Sequence, residues 1–178
     1  MPAGLKASSN PIQISASVTE TAGGTFTAEQ IELTLNALDN EVFVVTQINL
    51  DVDSPDAPTG TGESTFNSAS LSTVKRTTVG TIADSNVLAA AQRQIEVVTN
   101  AAGTSAYLTF DREDPIFSAL DMDYLGIVAT NNMHLNIQQE GNVAAGSPRS
   151  ARVRVYGYRA TATAAVYAAL VQSELLSE

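Results

Sequence analysis

Residues 41–51, with the sequence EVFVVTQINLD, decide the fold class of this chain. Apolar or β-branched residues stand at every second position of the segment: Val42, Val44, Thr46, Ile48 and Leu50. The positions between them hold the polar residues Glu41, Gln47, Asn49 and Asp51, apart from Phe43 and Val45. A repeat of two residues is typical of a β-strand with one buried face. We therefore expect a strand with the first set of side chains on one face.

The same alternation recurs along most of the chain. Residues 12–18 and 31–36 show it, and β-branched or aromatic residues are enriched at 94–99, 105–110, 123–130, 133–139 and 151–163. Stretches rich in serine and threonine near residue 65 and at 71–78 add one or two strands. Turns are predicted at 23–24, 51–62, 100–103, 111–115 and 141–148. About eight to ten short strands predict an all-β sandwich or barrel, and the jelly roll is its commonest eight-strand form.

Two short helices complete the predicted secondary structure. Residues 84–94, DSNVLAAAQRQ, offer an acidic or Ser/Asn cap ahead of an alanine-rich run, which indicates a helix inserted between strands. Residues 164–176, AAVYAALVQSELL, follow a Thr163 cap and place apolar residues at helical spacing. We expect one jelly-roll domain over residues 1–178, with an extended N-terminal segment at residues 1–10.

Composition excludes several classes of chemistry. The chain has 178 residues, of which 44% are hydrophobic, and this suits one domain that folds without a disulfide or metal staple. The absence of cysteine excludes thiol nucleophiles, cysteine zinc sites, iron–sulfur clusters and disulfides. With one histidine, most hydrolase constellations are disfavoured as well. The sequence therefore indicates a structural or binding protein, and no cofactor or small-molecule substrate is expected.

The net charge of the chain disfavours some classes of binding partner. Nine lysines and arginines against 19 acidic residues give a net charge of −10, which opposes binding to a phosphate backbone. Only 16% of residues are charged, below the average of about 25%, and such a surface suits partial cover by neighbouring subunits. The uncharged run of residues 160–173 is too short to span a bilayer, and the first residues lack the apolar core of a signal peptide.

Two groups of acidic residues are candidate cation ligands. Asp51, Asp53 and Asp56 lie close together in LDVDSPD and offer the oxygen ligands that calcium prefers, although the segment is not an EF-hand loop. The alternative, a strand running into an Asp/Pro turn, is favoured. A second group brackets Pro115 and is expected to consist of solvated loop acids: Asp111, Glu113, Asp114, Asp121 and Asp123.

His134 belongs to the predicted strand MHLNIQQ. Met133, Leu135 and Ile137 form the apolar face of this strand, so the histidine is expected on the polar face as an exposed or interface residue. General base catalysis needs an oriented partner and a nucleophile within reach, and the spacing indicates neither.

The last predicted strand concentrates arginine and tyrosine. Alternation places Arg152, Arg154, Tyr156 and Tyr158 on one face, with Val153, Val155 and Gly157 on the other. Arginine and tyrosine anchor protein interfaces because they combine a large contact area with directional polar groups. In so acidic a protein, this face is a candidate interface that receives carboxylates of an identical neighbour. Internal pairing with acids on adjacent strands is an equal alternative.

The order of these segments resembles a family of viral shell proteins. The segments ALDNEVFVVTQINLDVDSPD, DYLGIVATNNMHLNIQQEG and RVRVYGYRATA, the last followed by a short helix, are similar in layout to single jelly-roll major capsid proteins of archaeal and bacterial viruses that enclose an internal membrane. Within that family, the layout resembles the small capsid subunit of icosahedral viruses of salt-loving archaea. The resemblance implies assembly of identical subunits, together with a second, larger capsid protein, above a lipid vesicle and within the virion.

We therefore predict a structural virion protein that self-assembles into an icosahedral shell and is not an enzyme. Apolar and Arg/Tyr surface would be buried between subunits. A viral decoration, spike or tail protein is the alternative within the structural class. A secreted carbohydrate-binding β-sandwich is the alternative from another class, although aromatic residues make up only 6% of the chain and tryptophan is absent.

Overall fold

The computed structural model describes residues 3–58, 60–99, 105–113, 123–141 and 146–176. Within these ranges the chain forms ten strands and one α-helix. The strands are β1 (Leu5–Ala7), β2 (Ile12–Thr19), β3 (Thr27–Glu32), β4 (Glu41–Val52), β5 (Ser64–Ser72), β6 (Val87–Thr99), β7 (Ser105–Glu113), β8 (Gly126–Val128), β9 (Asn132–Gly141) and β10 (Ser150–Ala162). The helix α1 (Ala164–Leu176) follows β10 directly, as the sequence predicts.

The strands form two antiparallel sheets with a jelly-roll order. In sheet 1, β10 pairs with β2, β4 and β1, and β4 also pairs with β8. In sheet 2, the order is β3-β9-β5-β6-β7. When β1 and β7 are set aside, the first of eight strands pairs with the last, the second with the seventh, the third with the sixth and the fourth with the fifth. This nesting is a long antiparallel hairpin rolled into a sandwich, which confirms the predicted fold class.

The core lies between the inner faces of the two sheets. Its fully buried side chains come from both, and the largest of them are Phe43, Leu33, Leu71, Met133, Leu135 and Ile137. Sheet 1 adds Val153 and Val155 from β10. Alternation of side chains along each strand leaves the opposite face of each sheet outside this core. Any interaction surface of the sandwich is therefore to be sought on those outer faces and in the loops.

A β-bulge in β4 corrects the predicted face of that strand. Gln47 pairs with Tyr156 and Val45 pairs with Gly157, so Thr46 between them has no partner residue in β10. The Thr46 hydroxyl instead donates a hydrogen bond to the Tyr156 carbonyl at 3.1 Å. One extra residue reverses the alternation, so that Phe43 and Val45 enter the core before the bulge, and Ile48, Leu50 and Val52 pack there after it. Val42 and Val44 consequently point away from the core, and the single face predicted for them with Ile48 and Leu50 is wrong.

Helix α1 covers the part of sheet 1 onto which Val42 and Val44 point. It forms a second apolar cluster in which Val166, Tyr167, Leu170 and Val171 pack against buried residues of the sheet: Val42, Val44, Ala129, Ala160 and Ala162. The buried Glu174 carboxylate accepts hydrogen bonds from the backbone N–H groups of Ala129 at 2.8 Å and Thr130 at 2.9 Å. Burial raises the pKa of Glu174, while these hydrogen bonds oppose the shift.

The helix predicted over residues 84–94 is wrong. Residues from Val87 onward form β6, which pairs with β5 on one side and with β7 on the other. Asp84 caps a turn rather than a helix, because its carboxylate accepts the N–H of Thr81 at 2.7 Å and its carbonyl accepts the N–H of Val87. The alanines favour a helix locally, but two ladders of backbone hydrogen bonds and the β-branched residues that follow outweigh that preference.

Four other predicted segments differ from the structure or fall at least partly outside its described ranges. Strand β7 continues to Glu113, so Asp111 and Glu113, expected in the turn predicted over 111–115, are strand residues. Asp114, Asp121, the turn predicted at 100–103 and residues 142–145 of the turn predicted at 141–148 lie outside the described residues. In the predicted N-terminal segment, residues 5–7 form β1 and pair with the end of β10.

Candidate interaction face on sheet 1

The outer face of sheet 1 that α1 leaves uncovered is a polar surface, which we call the polar face. The strand register arranges its side chains in three rows across β2, β10 and β4. The rows are Ser17–Arg152–Asp51, Ser15–Arg154–Asn49 and Gln13–Tyr156–Gln47. Neighbouring strands lie about 4.8 Å apart, so the members of each row stand side by side. The face therefore carries small hydroxyl and amide groups around two arginines and one tyrosine.

Arg152 is already paired within the chain. Its Nη1 donates to Asp53 Oδ1 at 2.7 Å and lies 3.7 Å from Asp51 Oδ2. The hydrogen bond and charge of Asp53, with a smaller effect of Asp51, raise the pKa of Arg152 above its ordinary value. The alternative of internal pairing with acids on an adjacent strand is therefore correct for this arginine.

Arg154 differs from Arg152 although it is only two residues away. Its side chain is exposed, and it makes no ion pair or side-chain hydrogen bond with any residue that the structure describes. Its neighbours across the strands, Ser15 and Asn49, carry no charge. An open depression of about 450 Å³ runs between these side chains and is bordered by Ser17 and Asp51. A carboxylate from outside the chain can therefore reach this guanidinium directly.

Tyr156 and Tyr158 have different environments. Tyr156 is half-buried in the polar face between Gln13 and Gln47. Tyr158 lies beyond the bulge, where it packs against the cluster under α1. Burial and the nearby charge of Asp123 raise the pKa of the Tyr158 hydroxyl. Of the four residues predicted as an interface, Arg154 and Tyr156 therefore remain open to a partner, Arg152 is ion-paired and Tyr158 contacts the helix cluster.

The candidate calcium ligands take part in ion pairs and backbone hydrogen bonds. Asp53 Oδ2 accepts the N–H of Ser150 at 3.1 Å, in addition to the bond from Arg152. Asp56 pairs with Arg149 and accepts the N–H of Ser147 at 2.8 Å. Within the described ranges, no three His, Cys, Asp or Glu side chains are grouped as a metal site requires. Calcium binding at Asp51, Asp53 and Asp56 stays a prediction. The ion pairs and backbone hydrogen bonds of Asp53 and Asp56 are those expected of an Asp/Pro turn that is attached to β10.

A buried carboxylate that we did not predict joins the two sheets near this turn. Glu20 is only 3% exposed, and its oxygens accept the N–H of Gln139 in sheet 2 at 2.7 Å and the N–H of Arg149 before β10 at 3.0 Å. The sequence carries a signal for it, because Glu20 continues the core-facing alternation of Ile12, Ile14, Ala16 and Val18. A charged residue in register with a buried face indicates a satisfied internal carboxylate.

His134 is buried rather than exposed, which corrects the prediction. It lies on the outer face of sheet 2, but the loop of residues 73–86 covers that part of the face. The loop is held by a hydrogen bond from the Gly80 N–H to Ser70 Oγ at 2.9 Å. Asn136, the next residue on the same face, donates to Ser72 Oγ at 3.0 Å. Burial, with a smaller effect of Lys75, lowers the pKa of His134.

Comparisons with known proteins give no family assignment. No protein-family model matches the sequence, and no curated protein matches it. Among solved structures, the chain is similar to one described as the Merkel cell polyomavirus VP1 unassembled pentamer, with 6% sequence identity, a TM-score of 0.36 and 78% of each chain covered. The jelly-roll assignment above rests on the strand order, and this likeness adds no argument about function. In the described part of the chain, no helix is long and apolar enough to cross a membrane.

Proposed function

We propose that this protein is a structural shell protein that assembles with identical subunits through the polar face of sheet 1. The observation that carries the proposal is Arg154, an exposed guanidinium without a partner in the described part of an acidic protein. The chain offers 19 carboxylates against nine cations, so a neighbouring copy has the complementary charge in excess. An Arg–carboxylate contact between copies fixes orientation because its two hydrogen bonds require a planar approach.

The surroundings of Arg154 favour an interface over an isolated ion pair. Ser15, Ser17 and Asn49 surround Arg154 with small uncharged side chains, so a second molecule can approach closely and hydrogen-bond to them without removing further charges from water. Tyr156 stands in the next row and supplies a rigid aromatic surface beside the arginine. The jelly roll gives this face a fixed geometry, since β10 is hydrogen-bonded to strands on both sides.

The resemblance stated from the sequence extends the proposal to the virion. In that arrangement the subunits form an icosahedral shell with a second, larger capsid protein, next to an internal membrane. A decoration, spike or tail protein that uses the same face is the alternative. Copurification of the native protein from virions would separate these cases: a shell subunit is present in large molar excess, whereas a spike or tail component is present in few copies.

Charge reversal at Arg154 tests the proposal. Arg154→Glu is expected to abolish assembly while the monomer stays folded, because the Arg154 side chain has no ion pair or hydrogen bond with the described residues to lose. Lys75→Glu is the matched control, since it makes the same change in net charge at an exposed loop residue away from the polar face. Arg152→Glu is less suitable, because removal of its bonds to Asp53 and Asp51 would itself disturb the fold. Unimpaired assembly of folded Arg154→Glu would refute the proposed interface.

A further inference from the structure

A cleft opens on the outer face of sheet 2, on the opposite side of the sandwich from the polar face. It measures about 270 Å³ and lies between strands β5, β6 and β9 and the part of the covering loop from Thr78 to Ile82. Its lining combines apolar side chains, among them Val79 and Ile82, with uncharged polar side chains and one carboxylate: the polar members include Ser68, Thr78, Gln92 and Gln138, and the carboxylate is Glu140. The volume is at the small end of ligand pockets, so it suits a compact group.

The floor of the cleft carries three polar side chains with unused hydrogen-bonding capacity. Ser68 pairs with Gln92 on one side and with Gln138 on the other, so the three form one row across adjacent strands. All three are half-buried, and their side chains make no hydrogen bond to any residue that the structure describes. Because these side chains are half-open to solvent, a ligand can replace the water on them with its own hydrogen-bonding groups. This row therefore suits a bound molecule rich in hydrogen-bonding groups.

The wall of the cleft is preorganised. Besides the Gly80–Ser70 hydrogen bond, Arg76 holds the loop by donating to Asn86 Oδ1 at 2.6 Å and by lying 3.3 Å from Asp84 Oδ2. The loop runs so close to the sheet that a Cβ on Gly80 would lie 2.4 Å from Val87 Cγ2. A fixed wall lowers the ordering cost of binding.

We propose that this cleft binds a neutral sugar ring, such as a hexose or N-acetylhexosamine unit of a glycan. Each glutamine amide offers both an acceptor oxygen and two N–H donors, and Ser68 adds a hydroxyl, which matches neighbouring sugar hydroxyls that donate and accept. The cleft supplies apolar contacts for the C–H face of the ring from Val79 and from Ile82, which is 64% exposed.

The charges of the cleft favour a neutral sugar over other ligands. Glu140 is exposed at its edge and, with a chain charge of −10, repels phosphates, sialic acids and uronic acids. A single carboxylate is too few ligands for a hard cation such as calcium. The polar floor is unsuited to a lipid chain, because its amides would be buried without partners. A neutral polyol satisfies the floor without adding charge.

Titration of the purified protein with methyl glycosides of neutral hexoses and N-acetylhexosamines, followed by ligand-observed NMR, tests the inference. A single ring is expected to bind with a dissociation constant on the order of 1 mM. Gln92→Ala and Gln138→Ala should each weaken binding about tenfold, since each removes hydrogen bonds at the floor. Ser68→Leu should fill the cleft and remove binding. Gln13→Ala, the matched glutamine on the polar face of sheet 1, should leave binding unchanged.

Melting temperatures of the variants confirm that each is folded before binding is compared. Absence of saturation by every neutral glycoside at 50-fold excess over about 1 mM would overturn the inference. Equal binding by Gln92→Ala, Gln138→Ala and the unmodified chain would also overturn it, as would tighter binding of sialic or uronic acids. The test is independent of assembly, because Arg154→Glu leaves the cleft intact and should bind the same glycosides.

Discussion

Replacement of Glu20 by alanine is expected to destabilise the fold severely without changing any exposed surface. The Glu20 carboxylate is 3% exposed and accepts one backbone N–H from each side of the sandwich, at 2.7 Å from Gln139 and 3.0 Å from Arg149. Alanine leaves both donors without an acceptor near the buried end of the core. The two sheets also lose a direct tie between β9 and the residues before β10.

The magnitude follows from the two lost acceptors. A buried donor left unsatisfied costs about 1–3 kcal/mol, so we expect a loss of roughly 2–5 kcal/mol in the free energy of unfolding. For a chain of this length, each kcal/mol lowers the melting temperature by about 2–4 °C, and a loss near 3 kcal/mol gives about 6–12 °C. Glu20→Gln should lower the free energy of unfolding by less than Glu20→Ala does. The glutamine amide keeps one acceptor oxygen, but it turns its N–H₂ group toward the other backbone donor.

Chemical denaturation in urea, monitored by circular dichroism, measures the effect. Glu29→Ala is the matched control, since Glu29 is an exposed glutamate on β3, and its loss should change the free energy of unfolding by less than about 0.5 kcal/mol. If Glu20→Ala and Glu29→Ala unfolded at the same urea concentration with equal slopes, the account of Glu20 as a tie between the sheets would be refuted.

Three further predictions follow from buried positions. Gly157→Ala should cost about 1–3 kcal/mol, because a Cβ there would lie 2.3 Å from the Val44 carbonyl oxygen and 2.7 Å from Phe43 Cζ; a melting temperature unchanged from the parent would contradict this. The lowered pKa of His134 means that stability falls as pH decreases below about 6.5, and denaturation midpoints of His134→Gln should lose that dependence. Because the pKa of Glu174 is raised in the folded state, its contribution to the free energy of unfolding is complete below about pH 4.5 and decreases as pH rises through the pKa of the folded state. Amide hydrogen exchange in α1 should therefore become faster, relative to exchange in the core, as pH rises. An unchanged ratio of the two exchange rates would contradict this prediction.

The fold class was predictable because its signal is local and repeated. Alternation along residues 12–18 and 151–163 reflects one buried face per strand, and this survives in β2 and β10. The C-terminal helix was predictable for the same reason, since its apolar spacing and its start after Thr163 lie within one segment. The pairing of strands depends on contacts between distant segments, and alternation within one segment does not report it.

The errors arise where distant parts of the chain meet. The bulge at Thr46 depends on the register between β4 and β10, so alternation in β4 alone assigns Val42 and Val44 to the wrong face. The run of alanines at 89–91 favours a helix until β5 and β7 pair with it. The burial of His134 requires the loop at 73–86 to fold over its strand. In each case tertiary contacts, which sequence alternation does not report, override a correct local preference.

The candidate interface was predictable in part. The period of two correctly placed Arg152, Arg154, Tyr156 and Tyr158 on one side of β10, but it did not report which of them other parts of the chain would engage. Asp53 is about a hundred residues away in sequence and pairs with Arg152, and α1 folds back over Tyr158. Only a structure separates Arg154 and Tyr156 as the members that remain available.

The solution mass of the unmodified protein and of Arg154→Glu, measured by light scattering across salt concentration with electron microscopy of large species, tests the central claim most directly. We expect discrete oligomers, capsomers or shells of the unmodified protein, a folded monomer for Arg154→Glu and unaltered assembly for Lys75→Glu. A monomer of the unmodified protein at every salt and protein concentration, or assembly of Arg154→Glu into the same particles, would contradict the claim that the polar face of sheet 1 joins identical subunits.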